Sequence, residues 1–101
     1  MKYEYKYKIT NINEEERLIT IASSNRSYME EPNSFVHLVK MIQNDVNGSI
    51  ENVGEIKFKI SNADLELVYM WDGLFGISVQ YPENVSKDDV VNFLNKYMSD
   101  F

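Results

Sequence analysis

The chain has 101 residues, of which 16 are acidic, 10 are basic, one is histidine and none is cysteine, and its formal net charge is −6. The lack of cysteine excludes a disulfide framework, a thiolate nucleophile and a cysteine-based zinc site. The negative charge argues against a nucleic-acid ligand, because Lys and Arg that neutralise phosphates supply most of that affinity. An acidic surface favours a basic protein partner, whose field steers the encounter, although acidity also serves solubility alone.

Size and hydropathy predict one domain over residues 1–101. Hydrophobic residues make up 44% of the chain, which is enough for a core of its own. Residues 1–6 lack the apolar core of a signal peptide, and no apolar run reaches the length of a transmembrane helix. We therefore expect a cytoplasmic protein without a membrane partner.

The first predicted elements are two strands that form a hairpin. From Tyr3 to Ile9 aromatic or aliphatic residues alternate with charged ones, and this period of two predicts a strand with one solvent-facing side. Residues 11–16 are polar and predict a turn. The apolar run over residues 17–23 predicts the returning strand.

A helix is predicted next, after a loop over residues 24–32. Asn33 or Ser34 can cap its start by accepting a hydrogen bond from a backbone N–H of the first turn. Asn47 and Gly48 end it, since glycine often takes the left-handed conformation after a helix. The apolar residues at helical spacing are Phe35, Leu38, Val39, Ile42 and Val46.

Three further strands are predicted over residues 55–60, 65–71 and 74–81. The last two are joined by Asp72-Gly73, which favours a two-residue type I′ turn because both central residues need positive φ. This turn places Trp71 opposite Leu74.

The resulting hairpin, residues 65–81, is apolar on both faces near its turn, since Met70 also lies opposite Phe75. Two explanations remain open: a curled sheet buries both faces, or one apolar face is exposed and marks an interaction site.

A final helix completes the order ββαβββα. Ser86 resembles the first residue of a capping box, with Asp89 in the place of the usual Glu. The apolar stripe of this helix comprises Val90, Phe93, Leu94, Tyr97 and Met98. We therefore predict an α+β domain: an antiparallel sheet of about five strands with two helices packed mainly on one face.

The sequence offers little for catalysis. His37 is the only histidine, so it has no second histidine with which to share a metal, and no recognisable triad surrounds it. The carboxylate groups at 14–16, 30–31 and 88–89 lie in predicted turns or first helical turns, where solvation keeps them ionised. We expect a protein that is not an enzyme, with no catalytic residue, metal ligand or cofactor.

The acidic turns Glu14-Glu15-Glu16 and Glu30-Glu31, and the hairpin Trp71–Gly76 followed by a capped helix, resemble features of the small immunity proteins of bacterial polymorphic-toxin and contact-dependent growth inhibition systems. The resemblance implies a compact α+β domain that neutralises a cognate toxin, a nuclease or another toxin domain, by stoichiometric binding. The predicted partner-binding residues are Glu14, Glu15, Glu16, Glu30, Glu31, Trp71 and Asp72.

Two other classes of function remain open. An acidic nucleic-acid mimic or a secretion chaperone from a phage or mobile element would also act by binding. A small-ligand or enzymatic domain would build its site from Tyr hydroxyls, Asn and carboxylates, and it would contain a deep pocket with convergent polar groups.

Overall fold

A computed structural model describes residues 5–24, 31–54, 57–61, 65–72 and 76–99, and in helix α1 and strand β3 it leaves the side chains of residues 31, 32, 53 and 54 undescribed. The fold is α+β, with six strands and two helices in the order ββαββββα. The elements are β1 (Tyr7–Asn13), β2 (Leu18–Ser23), α1 (Glu31–Val46), β3 (Ser49–Gly54), β4 (Lys57–Ser61), β5 (Glu66–Asp72), β6 (Gly76–Gln80) and α2 (Lys87–Asn95).

All six strands form one sheet in the order β1-β2-β6-β5-β4-β3, and every neighbouring pair is antiparallel. The prediction of five strands is wrong because it omitted β3. That strand holds only two aliphatic residues, includes Asn52 and ends in Gly54, so its alternation is weak in the sequence. The first hairpin is confirmed, with its turn at residues 14–17, while Tyr3 lies outside the described residues.

Both helices contact the same face of the sheet. A gap of only about 10 Å³ lies between Ile42 of α1, Phe93 of α2 and the β5 residues Leu67 and Tyr69, so the two helices meet the sheet side by side. This volume corresponds to about one water-sized probe, which indicates close packing. The buried core comprises Tyr7, Ile19, Ile21, Phe35, Leu38, Val39, Ile42, Ile60, Leu67, Tyr69, Ile77, Val79, Tyr81, Val90 and Leu94.

The first helix begins three or four residues earlier than predicted. It starts at Glu31, so Asn33 and Ser34 lie in its first turn and do not cap it. Pro32 is tolerated there because the first backbone N–H groups of a helix have no intrahelical acceptor. At the other end the left-handed residue is Asn47, with φ 51°, and not Gly48.

The second helix begins as predicted: the Ser86 hydroxyl accepts a hydrogen bond from Asp89 N at 3.2 Å. Its apolar stripe is buried to different depths. Val90 and Leu94 are fully buried, whereas Phe93 is only partly buried and packs edge-to-face on Tyr97.

The register of the β5–β6 hairpin differs from the prediction. Asp72 pairs with Gly76 and Trp71 pairs with Ile77, so three residues, 73–75, connect the two strands. The prediction of a two-residue turn is therefore wrong. The conformation of those three residues lies outside the described part of the chain. Tyr69 pairs with Val79 and Trp71 pairs with Ile77, so these side chains share the face that packs under the helices, and the alternate residues lie on the other face.

We call this second face, which carries Met70 and Ser78, the open face of the sheet. Its central strands are mostly polar or small, and no described helix covers it. Among the described residues, register therefore places one face of the hairpin in the core and the other on the open face, while Leu74 and Phe75 lie outside the described part of the chain. No helix among the described residues is long and apolar enough to cross a membrane.

Candidate functional site

The β1–β2 turn carries three consecutive glutamates in a defined conformation. The Asn13 side-chain oxygen accepts a hydrogen bond from Glu16 N at 3.1 Å, and Glu14 O accepts one from Arg17 N at 3.3 Å. Arg17 adopts a positive φ of 56°, which closes the turn. Glu14, Glu15 and Glu16 are all exposed, so the turn presents their carboxylates to solvent.

A second acidic segment packs beside this turn. Tyr81 N donates a hydrogen bond to Arg17 O at 3.1 Å, which extends the contact beyond the end of β6. Two ion pairs follow, Arg17 Nη1 to Glu83 Oε1 at 3.6 Å and Lys87 Nζ to Glu14 Oε1 at 3.8 Å. The turn and the start of α2 therefore form one surface.

We call residues 14–17 and 83–89 together the acidic end. It contains six carboxylates, from Glu14, Glu15, Glu16, Glu83, Asp88 and Asp89, against two basic side chains. Its formal charge of −4 is most of the chain's total of −6. This surface, where the β1–β2 turn meets the start of α2, is thus strongly acidic.

Both basic side chains of the acidic end form ion pairs with carboxylates of the same surface. Lys87 Nζ lies 2.9 Å from Asp88 Oδ1, and this hydrogen bond, followed by the charges of Asp88 and Glu14, raises the pKa of Lys87. Such exposed ion pairs contribute little stability. Among the described residues, Glu15, Glu16 and Asp89 form no ion pair, so their charges dominate the field outside this surface.

The other predicted partner-binding residues lie elsewhere. Leu18 pairs with Gln80, and Gln80 pairs with Val68, so these three residues lie at one level of the sheet, next to the acidic turn. Asp72 is four residues further along β5, about 13 Å away at roughly 3.3 Å per residue, and on the side away from that turn. Trp71 and Asp72 are therefore not part of the acidic end.

The remaining predicted pair is described only in part. Glu31 is the first residue of α1, and its side chain lies outside the described part of the structure, as does the whole of Glu30. The described members of the predicted partner-binding set therefore lie on two separate surfaces.

A surface cavity of about 210 Å³ lies where Trp71 and Asp72 end β5. Met70 and Ser78 are direct cross-strand partners, as are Asp72 and Gly76, so the cavity opens on the open face of the sheet. Its wall is completed by Leu18 of β2. Sequence analysis missed Leu18, Met70, Gly76 and Ser78, because only the correct register brings them together.

Trp71 is more buried than an aromatic side chain that could insert freely into a partner. Its side chain is partly buried against the core, and its indole Nε1 is buried without a hydrogen-bond partner among the described residues. Trp71 therefore supports one wall of the cavity, and Asp72, which is exposed, provides the formal charge among the described residues that line it.

The single histidine lies apart from both surfaces. His37 is exposed on α1, and its ring lies 5.1 Å from that of Tyr5 between centroids. Within the described ranges no three His, Asp or Glu side chains are grouped so that they could hold a metal ion. Neither the acidic end nor the cavity contains a histidine.

Comparisons with protein-family models, with curated proteins and with solved structures gave no match for this chain.

Proposed function

We propose that this protein acts by stoichiometric binding to a basic protein, as an immunity protein that neutralises a toxin domain. The observation that supports this proposal is the acidic end, where six carboxylates lie on one surface formed by the β1–β2 turn and the start of α2. A toxin that acts on nucleic acid presents a cationic groove for phosphates. Carboxylates that occupy this groove compete directly with the substrate.

Hydrogen bonds hold the backbone of the β1–β2 turn in place before any partner binds. The turn is held by Asn13 and by the backbone hydrogen bond between Tyr81 and Arg17, so its backbone needs little ordering on binding. Preorganised groups lose less conformational entropy when a complex forms, which leaves more of the contact energy as affinity. A concentrated negative field also raises the association rate with a cationic partner.

The cavity on the open face favours protein binding over a small-ligand function. Small-molecule sites usually enclose about 300–1,000 Å³, whereas this cavity measures about 210 Å³, and its described lining includes one charged side chain. It has room for one protein side chain and too little room for a typical cofactor.

The test uses the product of the gene adjacent to that of this chain, expressed in bacteria with and without the chain. We expect that product to stop growth alone, to be harmless when the chain is co-expressed, and to form an equimolar complex on size-exclusion chromatography. A double substitution, Glu15→Gln with Glu16→Gln, should restore toxicity because it removes two charges of the acidic end.

The matched control is Glu51→Gln with Glu66→Gln, which changes the net charge equally on the other half of the sheet. Both glutamates pair with Lys59, at 3.3 and 3.2 Å, and such exposed pairs contribute little to folding. The control should keep protection. A partner that is harmless alone, or equal loss of protection in both variants, would contradict the proposal; a harmless DNA-binding partner would instead indicate a nucleic-acid mimic.

A further inference from the structure

We propose that Asn47 is a modification site, where the chain converts its own asparagine into aspartate or isoaspartate by attack of the Gly48 backbone nitrogen. The site lies at the joint between α1 and β3, and the inference is independent of any partner protein. Two observations carry it: Gly48 leaves the side chain of Asn47 open to attack, and long hydrogen bonds restrain Gly48.

The reaction uses only this dipeptide and water. The Gly48 nitrogen forms a bond to the side-chain carbonyl carbon of Asn47, and the bond from that carbon to the amide nitrogen breaks. Ammonia leaves with the proton that the Gly48 nitrogen loses. Water then opens the cyclic imide at either carbonyl carbon. One opening gives aspartate, and the other gives isoaspartate, in which the main chain runs through the former side chain.

The residue types at this joint favour the attack. Asn47 is exposed, so water reaches its side chain. Glycine has no Cβ that would obstruct the approach of its nitrogen to the preceding side chain. A Cβ at position 48 would lie 2.5 Å from the backbone oxygen of Ser61. Packing therefore requires glycine here, and the least obstructive neighbour stays next to Asn47.

Two long hydrogen bonds restrain Gly48. Gly48 N donates to the backbone oxygen of Gln43, and the Gln43 side-chain Nε2 donates to Gly48 O, both at 3.4 Å. Because N–H···O bonds usually measure about 2.7–3.2 Å, both contacts are weak. The attack requires the Gly48 nitrogen to leave Gln43 and to approach the Asn47 side chain. Helix ends open in this way without global unfolding.

The product is poorly matched to its position. It adds a negative charge directly after α1, where the helix dipole disfavours an anion. Asp45 already lies in the last turn of α1, and that turn has no basic residue. Isoaspartate also lengthens the main chain directly before Gly48, which packs closely on Ser61. The modification should therefore lower the midpoint of thermal unfolding.

The test is incubation of the intact protein at neutral pH, followed by tryptic digestion, chromatographic separation of the aspartate and isoaspartate peptides, and mass spectrometry. We expect acid to accumulate at Asn47. Asn44 is the internal control, since it is also exposed but is followed by Asp45 within α1, and it should stay unmodified. The urea-unfolded protein should react at Asn47 about tenfold faster, the factor that two weak hydrogen bonds supply.

Two helix variants test the restraint on Gly48. Gln43→Met removes the side-chain hydrogen bond to Gly48 O at a similar helix propensity. It should raise the rate at Asn47 about threefold. Lys40→Met introduces the same residue at an exposed position of α1 that makes neither contact with Gly48, and it should leave the rate unchanged.

A third variant, Asn47→Asp, carries the added charge without the longer main chain. Its thermal midpoint should lie between those of the fresh protein and the isoaspartate form. Four results would overturn the inference: a folded protein that stays unmodified at Asn47, equal accumulation of acid at Asn44 and Asn47, equal rates in the two helix variants, or a modified protein as stable as the fresh one.

Discussion

The hydroxyl of Tyr7 donates a hydrogen bond to the backbone carbonyl of Ser34 at 2.7 Å, and this contact joins β1 to the first turn of α1. Both residues are buried, with Tyr7 at 1% exposure. Since β1 is an edge strand of the sheet, the contact attaches that edge to the helix layer. Ser99 N donates to Tyr7 O at 2.7 Å, so the segment after α2 is attached at the same residue.

We expect Tyr7→Phe to lower the free energy of unfolding by about 0.5–1.5 kcal/mol, because a buried hydrogen bond to the Ser34 carbonyl is lost where water cannot replace it. Urea denaturation measures the change. The matched control is Tyr97→Phe, which removes a hydrogen bond to Asp45 at 2.6 Å between exposed groups. Water can replace that bond, so the control should lose less stability; an equal loss would contradict the buried role of Tyr7.

Alkaline pH should destabilise the protein through its buried tyrosines. Burial raises the pKa of both Tyr7 and Tyr69 well above the ordinary value of 10.0. The folded state therefore keeps these phenols protonated while the unfolded chain loses the protons, so the free energy of unfolding is unaffected below about pH 10 and falls as the pH rises further. Urea midpoints between pH 8 and pH 11 test this.

The tyrosine-to-phenylalanine variants identify the groups responsible for that pH dependence. Tyr69→Phe should make the decline above pH 10 shallower, and Tyr7→Phe should do so as well, apart from its loss of stability at neutral pH. A decline of unchanged steepness in both variants would show that other groups cause it.

The helices and the antiparallel α+β class were predictable because their signals are local. The stripe from Phe35 to Ile42 is buried as its spacing predicted, and the cap at Ser86 is present. These features depend on residues a few positions apart. The edge strand β3 was missed because its two aliphatic residues give no clear alternation, and its place in the sheet depends on pairing with β4.

The cavity could not be predicted because register is not a local property. The dipeptide Asp72-Gly73 favours a two-residue turn, but the chain forms a three-residue connection between Asp72 and Gly76. This register pairs Tyr69 with Val79 and Trp71 with Ile77, so that these four side chains lie together on the face under the helices. The gain from burying these side chains together exceeds the local preference of the turn.

Gly48 should be required for close packing and not for a left-handed conformation. A Cβ atom at this position would lie 2.5 Å from the backbone oxygen of Ser61, and backbone cannot move aside as a flexible side chain can. We expect Gly48→Ala to destabilise the protein by about 1–3 kcal/mol, as overpacking does.

The adjacent residue provides the matched control. Asn47 has the positive φ, so Asn47→Gly should be close to neutral, because glycine adopts that conformation without strain. Thermal unfolding of both variants checks the pair. A neutral Gly48→Ala together with a destabilising Asn47→Gly would reverse the assignment.

In the second helix, Leu94 should contribute more stability than Phe93. Leu94 is fully buried, so Leu94→Ala should cost about 2–5 kcal/mol through lost contacts and a cavity. Phe93 is only partly buried, and its ring contacts Tyr97 and Lys96 near the surface. Phe93→Ala should therefore cost less, although phenylalanine is the larger residue. Urea denaturation ranks the two, and a larger loss for Phe93→Ala would contradict the observed depths.

The rate of complex formation should reveal which surface steers the partner. Charges at the rim of an interface act mainly on association, whereas a desolvated charge pair acts mainly on dissociation. Raising the salt concentration should therefore slow association of the purified complex, and Glu15→Gln with Glu16→Gln should reduce that salt dependence. The dissociation rate of this variant should change less, because these carboxylates lie at the exposed rim. Surface plasmon resonance at two ionic strengths measures both rates, with Glu51→Gln and Glu66→Gln as the control for net charge. An association rate that does not change with salt concentration would show that the acidic end does not face the partner.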